Sequence, residues 1–444
     1  MVEIAKKPIA ATDTPLSPRE RALQRTGNIL QWGAIFNGGF ALLVGVLAVI
    51  AGVAASDLFT SLSEVLLGSY DGAADTALLI VILLGMGNLS ALLVLMVGVL
   101  AQEFWAPLGM LILIVINGWL LVTQGFIPGL LPIGIGAYAG LSIMRDLSAF
   151  RINPLMLKEL RGRMRGARAF VVITVYLALM SGFAVLLYLI ETEAGSVANT
   201  SVTGNLGRNL FRGIFVLELL LIVFIAPAFT SGAVSSERER KTYDLLQITL
   251  LPHQSFIIGK LESALGYILL LLLAAIPLQS IAFLFGGVSQ GELLLAFIIL
   301  AVTAILLGTI GLFFSTLFER TLTASVRAYS VVFALTIAVP IALGFGLSIV
   351  SQVLEDPIDD SPVLQSAVIY TDAFINSLNP VMTALETQNR LFENQGAGFY
   401  TERLRDGTQI PLASPWLSFT ILYLTTAAVM IVLSVRGMRQ SSEE

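Results

Sequence analysis

The 444 residues include no cysteine and a single histidine, His253. The first absence excludes disulfides, iron–sulfur clusters and thiolate metal sites. The second excludes a two-histidine zinc protease site and bis-histidine haem ligation. Charge is scarce too. Asp, Glu, Lys and Arg make up 12% of the chain, against about 25% in a soluble domain. There is no phosphate-binding loop of the GxxxxGKS or GxxxxGKT type, and no polar stretch is large enough for an ATPase domain. What remains is apolar: 56% hydrophobic residues and a mean hydropathy of +0.87. The apolar runs recur at lengths that suit a ~30 Å bilayer core, which takes roughly 20 helical residues. The fold class that follows is all-α, a polytopic transmembrane helix bundle of about ten spans.

Four candidate spans come first, about 29–55, 77–101, 107–123 and 126–144. Gly136 and Gly140 give the fourth a small-xxx-small spacing suited to close helix packing. Six more follow, about 169–190, 211–234, 261–285, 293–317, 329–350 and 416–435. Met1–Asn28, polar and basic, reads as a cytoplasmic tail; no cleavable signal peptide is expected. The link 56–76 has four acids and no Lys or Arg, and should face outward. Twenty of the 25 Lys and Arg fall on segments that ten spans with both termini inside would place on one face, as the positive-inside rule requires. Within Arg145–Arg168, Asn153-Pro154 is an N-cap followed by proline at the first helical position. Lys158, Arg161 and Arg165 then lie off the Leu157–Leu160–Met164 face, as in an amphipathic helix resting on an anionic leaflet. The chain thus divides into a tail (1–28), a four-span region of unassigned role (29–145) and a six-span region (146–444) with an outer loop, 351–415. In that loop Asn379-Pro380 opens a helical stretch, and Glu355, Asp356, Asp359 and Asp360 cluster without the spacing of a calcium loop.

Between the second and third of the six spans lies a polar island, Ser235–Lys260, fixed to the membrane at both ends. Ser236 and Glu239 have capping-box spacing, and Tyr243, Leu246 and Leu250 form one apolar stripe. A short amphipathic helix, ended by Pro252, is expected. A loop of this kind is suited to being gripped from outside the membrane. The run PAFTSGAVSSERERKTYDLLQITLLPHQSFIIGK (Pro227–Lys260) resembles the signature loop of ABC type-2 transporter permeases. The matching residues are Glu237, Arg238, Glu239, Thr242, Asp244, Leu245, Leu246, Thr249, Gly259 and Lys260. Lys241 stands where that family usually has glycine, and Leu250 where it usually has proline. The resemblance covers about 153–439, and the four leading spans lie outside it.

The resemblance implies a membrane-spanning permease subunit without its own ATPase site, driven by a separate ATPase and leaning toward export. The coupling residues would be Glu237, Arg238, Glu239, Thr242, Tyr243, Asp244, Leu245, Leu246 and Lys260. ATP and Mg would sit on the partner ATPase, with no cofactor and no metal on this chain. Two ATPase subunits, a second permease half and the lipid bilayer are the implied partners, with no nucleic acid, and a bacterial or archaeal inner membrane is the implied compartment. Two other readings stand beside this one: an ion-coupled secondary carrier, and a non-transporting anchor or assembly subunit. Ionisable residues inside spans are functional candidates by default. Glu218 is the one that could line a pathway, near the outer part of its span. Glu262 and Glu319 sit at interfaces. Asn88, Asn117 and Gln279 suit helix–helix hydrogen bonds.

Overall fold

The computed structural model describes residues 18–54, 56–68, 74–144, 146–193, 201–243, 252–353, 362–392 and 398–443. It is 87% helical, and among the described residues ten helices are long and apolar enough to cross a membrane. The first part is α1 (Pro18–Ala54), a short α2 (Ser56–Leu66), α3 (Ala74–Ala101), α4 (Trp105–Gln124) and α5 (Leu130–Met144). Its hairpins are tight because Gln102 and Gly125 both turn through positive φ. After the short α6 (Pro154–Met164) come α7 (Ala167–Glu193) and α8 (Ser201–Thr230). Then follow the five-residue α9 (Ser235–Glu239), α10 (His253–Leu284) and α11 (Gln290–Leu317). The next span is α12 (Thr321–Phe333) and α13 (Val339–Val353), joined by a π-helical stretch, Ala334–Ala338. Beyond it lie α14 (Pro362–Leu378), α15 (Pro380–Phe392), a hairpin of β1 (Phe399–Arg403) and β2 (Gln409–Ala413), and α16 (Pro415–Glu443).

Lipid tails are as apolar as leucine, so no hydrophobic force drives these helices together; close backbone approach and interhelical hydrogen bonds do. Helix α11 is the most enclosed span, packed between α8, α10 and α16. A β-carbon on its Gly311 would run into Thr230 Oγ1 and lie 3.2 Å from Pro227 Cα on α8. Between α1 and α3, a β-carbon on Gly85 would stand 2.9 Å from Ala41 Cβ. Asn88 and Asn117 exchange amide hydrogen bonds of 3.0 and 2.9 Å between α3 and α4, both buried. The four leading spans are not a separate body. One buried cluster joins Leu30, Met96 and Met110 to Ile257 and Leu261 of α10, Leu312 of α11 and Ile431 of α16.

Two expectations change. The tail expected over Met1–Asn28 is helical from Pro18, as part of α1. Proline at its start has the right φ, and further on Thr26 is buried and Gly27 packs against Leu100 of α3. The outer loop is largely structured, with α14, α15 and the hairpin covering most of its described part. Asn379 caps α15 as its sequence indicates, accepting from Val381 N at 2.8 Å. Its amide also donates to Thr336 O at 2.9 Å. That carbonyl belongs to the π-helical stretch, where Pro340 has no N–H to offer it, so a side chain from the start of α15 replaces the missing donor. Glu218, expected near the outer part of its span, lies about midway along α8 and is 1% exposed. The carboxylates at 355, 356, 359 and 360 lie outside the described residues. Arg390 ion-pairs with Glu386 at 2.8 Å and stacks on Tyr400 at 3.8 Å, which ties α15 to the hairpin.

Replacing Asn88 leaves the buried Asn117 Oδ1 without its donor, although the Asn117 amide keeps its bond to Leu113 O; removing both side chains leaves no such orphan. Asn88→Leu should destabilise the protein by about 1 kcal/mol, and Asn88→Leu with Asn117→Leu by clearly less. Thermal unfolding in mild detergent measures both.

Candidate functional site

The polar island forms a junction at one end of the bundle. Its first turn is fixed by a serine: Ser315 Oγ on α11 accepts from Val234 N at 2.8 Å and Ser235 N at 3.0 Å. Arg238 donates to Thr316 O at 2.9 Å and lies 5.1 Å from the Tyr243 ring centroid. The capping box expected between Ser236 and Glu239 is not formed. The helix starts at Ser235 after Val234, with no side-chain cap, and Glu239 is its last residue. Glu239 instead reaches across to α12, accepting from Thr321 N at 2.9 Å and Thr321 Oγ1 at 2.7 Å. It satisfies free donors at the N-terminus of another span, where a carboxylate also suits the helix dipole.

Helix α9 stops because Lys241 has φ +55°. That left-handed conformation disfavours a side chain and explains why glycine suits the position. The turn brings Thr242 back onto Glu237: its N–H donates to Glu237 O at 3.0 Å, and its hydroxyl to the Glu237 carboxylate. Tyr243 is buried against Phe256. The stripe expected to continue through Leu246 and Leu250 cannot be placed, since Asp244, Leu245, Leu246 and Thr249 lie outside the described residues.

Lys260, on the second turn of α10, is 3% exposed. Its ammonium lies 2.7 Å from Glu159 Oε1 on α6 and 3.4 Å from Glu237 Oε1 on α9. A buried ammonium is costly unless paired; here two carboxylates from two elements share it. Gly259 next to it also has a steric reason, since a β-carbon there would stand 2.8 Å from the Asn153 side chain. Asn153 caps α6 through Leu155 N at 3.0 Å. Its amide donates to Ser255 O at 2.7 Å and to Glu103 Oε1 at 2.9 Å.

Sequence reasoning missed Glu103 and Glu159. Glu103 sits in the α3–α4 link, and through Asn153 it attaches the four leading spans to the junction. Two further bonds run the same way: Ser255 Oγ to Ala101 O at 2.9 Å and Trp105 Nε1 to Glu262 Oε1 at 2.8 Å. Glu262, read as an interfacial residue, is therefore a docking point for α4. A lone acid in a short apolar link was the available signal for Glu103. For Glu159 it was the i,i+4 spacing to Arg163, 4.0 Å away. The residues read as a membrane-surface set are all exposed, Lys158 and Arg161 on α6 and Arg165 just after it, and α6 packs along α10. In the membrane interior Glu218 accepts from Tyr176 of α7 at 3.3 Å and from Gln279 of α10. Among the described residues no cluster of carboxylates and imidazoles could hold a metal ion.

A family model described as ABC-2 family transporter protein matches residues 154–440. That is more than half of the chain, and the chain belongs to this family. The match begins at the first residue of α6, at the boundary the loop resemblance indicated, and leaves the four leading spans outside. A search of curated proteins gave no match. The chain is thus an integral membrane permease of ABC type.

The Glu103 carboxyl is 1% exposed, and its Oε2 has no partner among the described residues. Burial raises its pKa to about 7, reinforced by Glu262 and opposed by the Asn153 hydrogen bond. Because this folded value lies above the ordinary 4.5, the folded state keeps a proton that the unfolded chain has already released. The stabilisation is complete below pH 4.5 and fades as pH rises through 7. The melting temperature of the protein in detergent should therefore fall between pH 6 and 8.5. Glu103→Gln, neutral throughout, should show a flatter profile and exceed the wild type at pH 8.5.

Proposed function

We propose that the chain is the transmembrane half of an ATP-driven exporter, moved by separate ATPase subunits that press on the 235–260 loop. The observation that carries this reading is the convergence of supports on that loop. Within six residues of chain, Val234 to Glu239, it is fastened to the feet of α10, α11 and α12, and through Lys260 to α6. A displacement applied there is delivered to several spans at once, since packed elements shift as units rather than deform.

This assigns distinct roles to the motif. Glu237, Arg238, Thr242 and Lys260 hold the loop in shape, and Tyr243 anchors it inward. The exposed Arg240 and Lys241 are offered to the ATPase, and Asp244, Leu245 and Leu246, outside the described residues, are the further contacts the motif implies. Helix α6, with Lys158 and Arg161 exposed on it and Arg165 just after it, moves with the loop at the surface of the membrane. Two such halves and two ATPases make the complete machine, and ATP and Mg belong to the ATPases. Both termini and the loop face the cytoplasm of a bacterial or archaeal cell, as the distribution of Lys and Arg supports. ATP binding supplies the differential free energy that the inward-to-outward switch requires. The role of the four leading spans in this scheme is to brace α6 and α10, through Glu103 and Trp105.

One observation favours an ion-coupled carrier instead: Glu218, enclosed between three spans, is the kind of buried acid that serves as a proton site. A single experiment separates the two readings. The protein is isolated from native membranes in mild detergent, co-purifying chains are identified by mass spectrometry, and ATP hydrolysis is measured. The exporter reading expects a soluble ATPase to co-purify, and to be lost on reversing charge at Glu237 and Asp244 while Glu218→Gln retains it. No ATPase in the wild-type eluate, together with transport that survives the loop reversal and fails in Glu218→Gln, would move the assignment to a carrier.

A further inference from the structure

We infer that the seam between the four leading spans and the permease spans holds one anionic glycerophospholipid, taken from the leaflet on the side of the 235–260 loop. A cavity of about 340 Å³ opens there between α1, α3, α10 and α16. Its polar lining is distinctive. Gln24, Asn28 and Gln31 lie at i, i+4 and i+7 on α1, one stripe of a helix. Gln254 faces them from the first turn of α10, and Arg436 from the inner end of α16. No carboxylate lines the cavity among the described residues. Among the described residues, the side chains of these four amides and the guanidinium make no hydrogen bond or ion pair within the protein.

Depth turns this into a statement about the ligand. Gly27 packs on Leu100 and Gly38 on Leu89, so α1 and α3 run antiparallel and Gln31 lies level with Met96. Seven residues separate Gln24 from Gln31, about 10 Å along the helix. The stripe therefore starts at headgroup level and descends past the interface into the hydrocarbon edge. Amides at that depth are costly against acyl chains unless an acceptor meets them. A glycerophospholipid carries acceptors at those levels: a phosphate outermost, for Arg436 and the Gln24 level, and ester carbonyls a few ångströms below, for Asn28 and Gln31. Its acyl chains would continue along Met96 and Val432, which form the apolar wall. A guanidinium with no acidic neighbour among the described lining residues favours a net negative headgroup over a zwitterion, because it meets the phosphate with charge-assisted bonds while no carboxylate is there to pair a choline ammonium. The inference does not depend on which energy source drives transport.

The test uses the full chain purified in mild detergent and equilibrated with equal amounts of phosphatidylglycerol and phosphatidylcholine of matched acyl chains. Retained lipid is counted by native mass spectrometry. One phosphatidylglycerol per chain is expected, favoured about tenfold over phosphatidylcholine, the ratio that roughly 1.4 kcal/mol of charge selectivity gives. Arg436→Gln should bring the two lipids to near parity. Val432→Trp, which fills the apolar wall, should remove both, and Gln31→Leu should weaken retention without changing the preference. Circular dichroism and melting temperature identify any variant that fails to fold, and the remaining variants decide. Wild-type protein that retains no lipid, or retains both lipids equally, overturns the proposal, as does a folded Val432→Trp chain that holds phosphatidylglycerol as well as the wild type does.

Discussion

The Lys260 ammonium is the interaction on which the rest of the arrangement depends. It is buried at the foot of α10, where an unpaired cation would be strongly destabilising, and it is neutralised from two sides by Glu159 and Glu237. Those two acids belong to the helix before the first permease span and to the loop after the second. Wherever Lys260 goes, α6 and the loop must follow, or a charge is left bare in a poorly solvated place. Gly259 makes the geometry possible by leaving room for Asn153 against the α10 backbone.

Around it further polar contacts fasten the loop end of the bundle. Asn153 bonds Glu103 and Ser255, Ser255 bonds Ala101, and Trp105 bonds Glu262. On the other flank Ser315, Thr316 and Thr321 receive Ser235, Arg238 and Glu239. Hydrogen bonds at the membrane edge serve the purpose that apolar burial serves in water, since packing in lipid gains no hydrophobic free energy. The four leading spans therefore join the permease spans by the same kind of contact that builds the permease spans themselves, supplemented by a shared apolar cluster.

Deeper in the bundle polar groups are few, and three sets of them are paired, although the buried hydroxyls of Ser90, Thr420 and Thr425 have no partner among the described residues. Asn88 pairs with Asn117, the carbonyl stranded by Pro340 is met by Asn379, and Glu218 is met by Tyr176 and Gln279. This follows from the solvent: within hydrocarbon a backbone or side-chain polar group has no water to fall back on. The π-helical stretch is thereby tied to the start of α15.

Much of this was legible in the chain itself. The ten spans follow from runs of apolar residues set against bilayer thickness, a criterion needing no knowledge of neighbours. The Asn153-Pro154 and Asn379-Pro380 helix starts follow from local capping chemistry. The ordered Glu-Arg-Glu to Gly-Lys run located the loop and the family. Other features were not legible, because they depend on which helix lies beside which. Glu239 looked like the acid of its own capping box, yet it caps a helix 82 residues further on. Glu218 stood out as an ionisable residue within a span, but only the packing of α7 and α10 around it shows its enclosure. Glu103 carried no motif at all. Hydropathy and capping are properties of one segment and are written in its sequence. Pairing between spans is a property of the assembled bundle, and only the tertiary structure decides it.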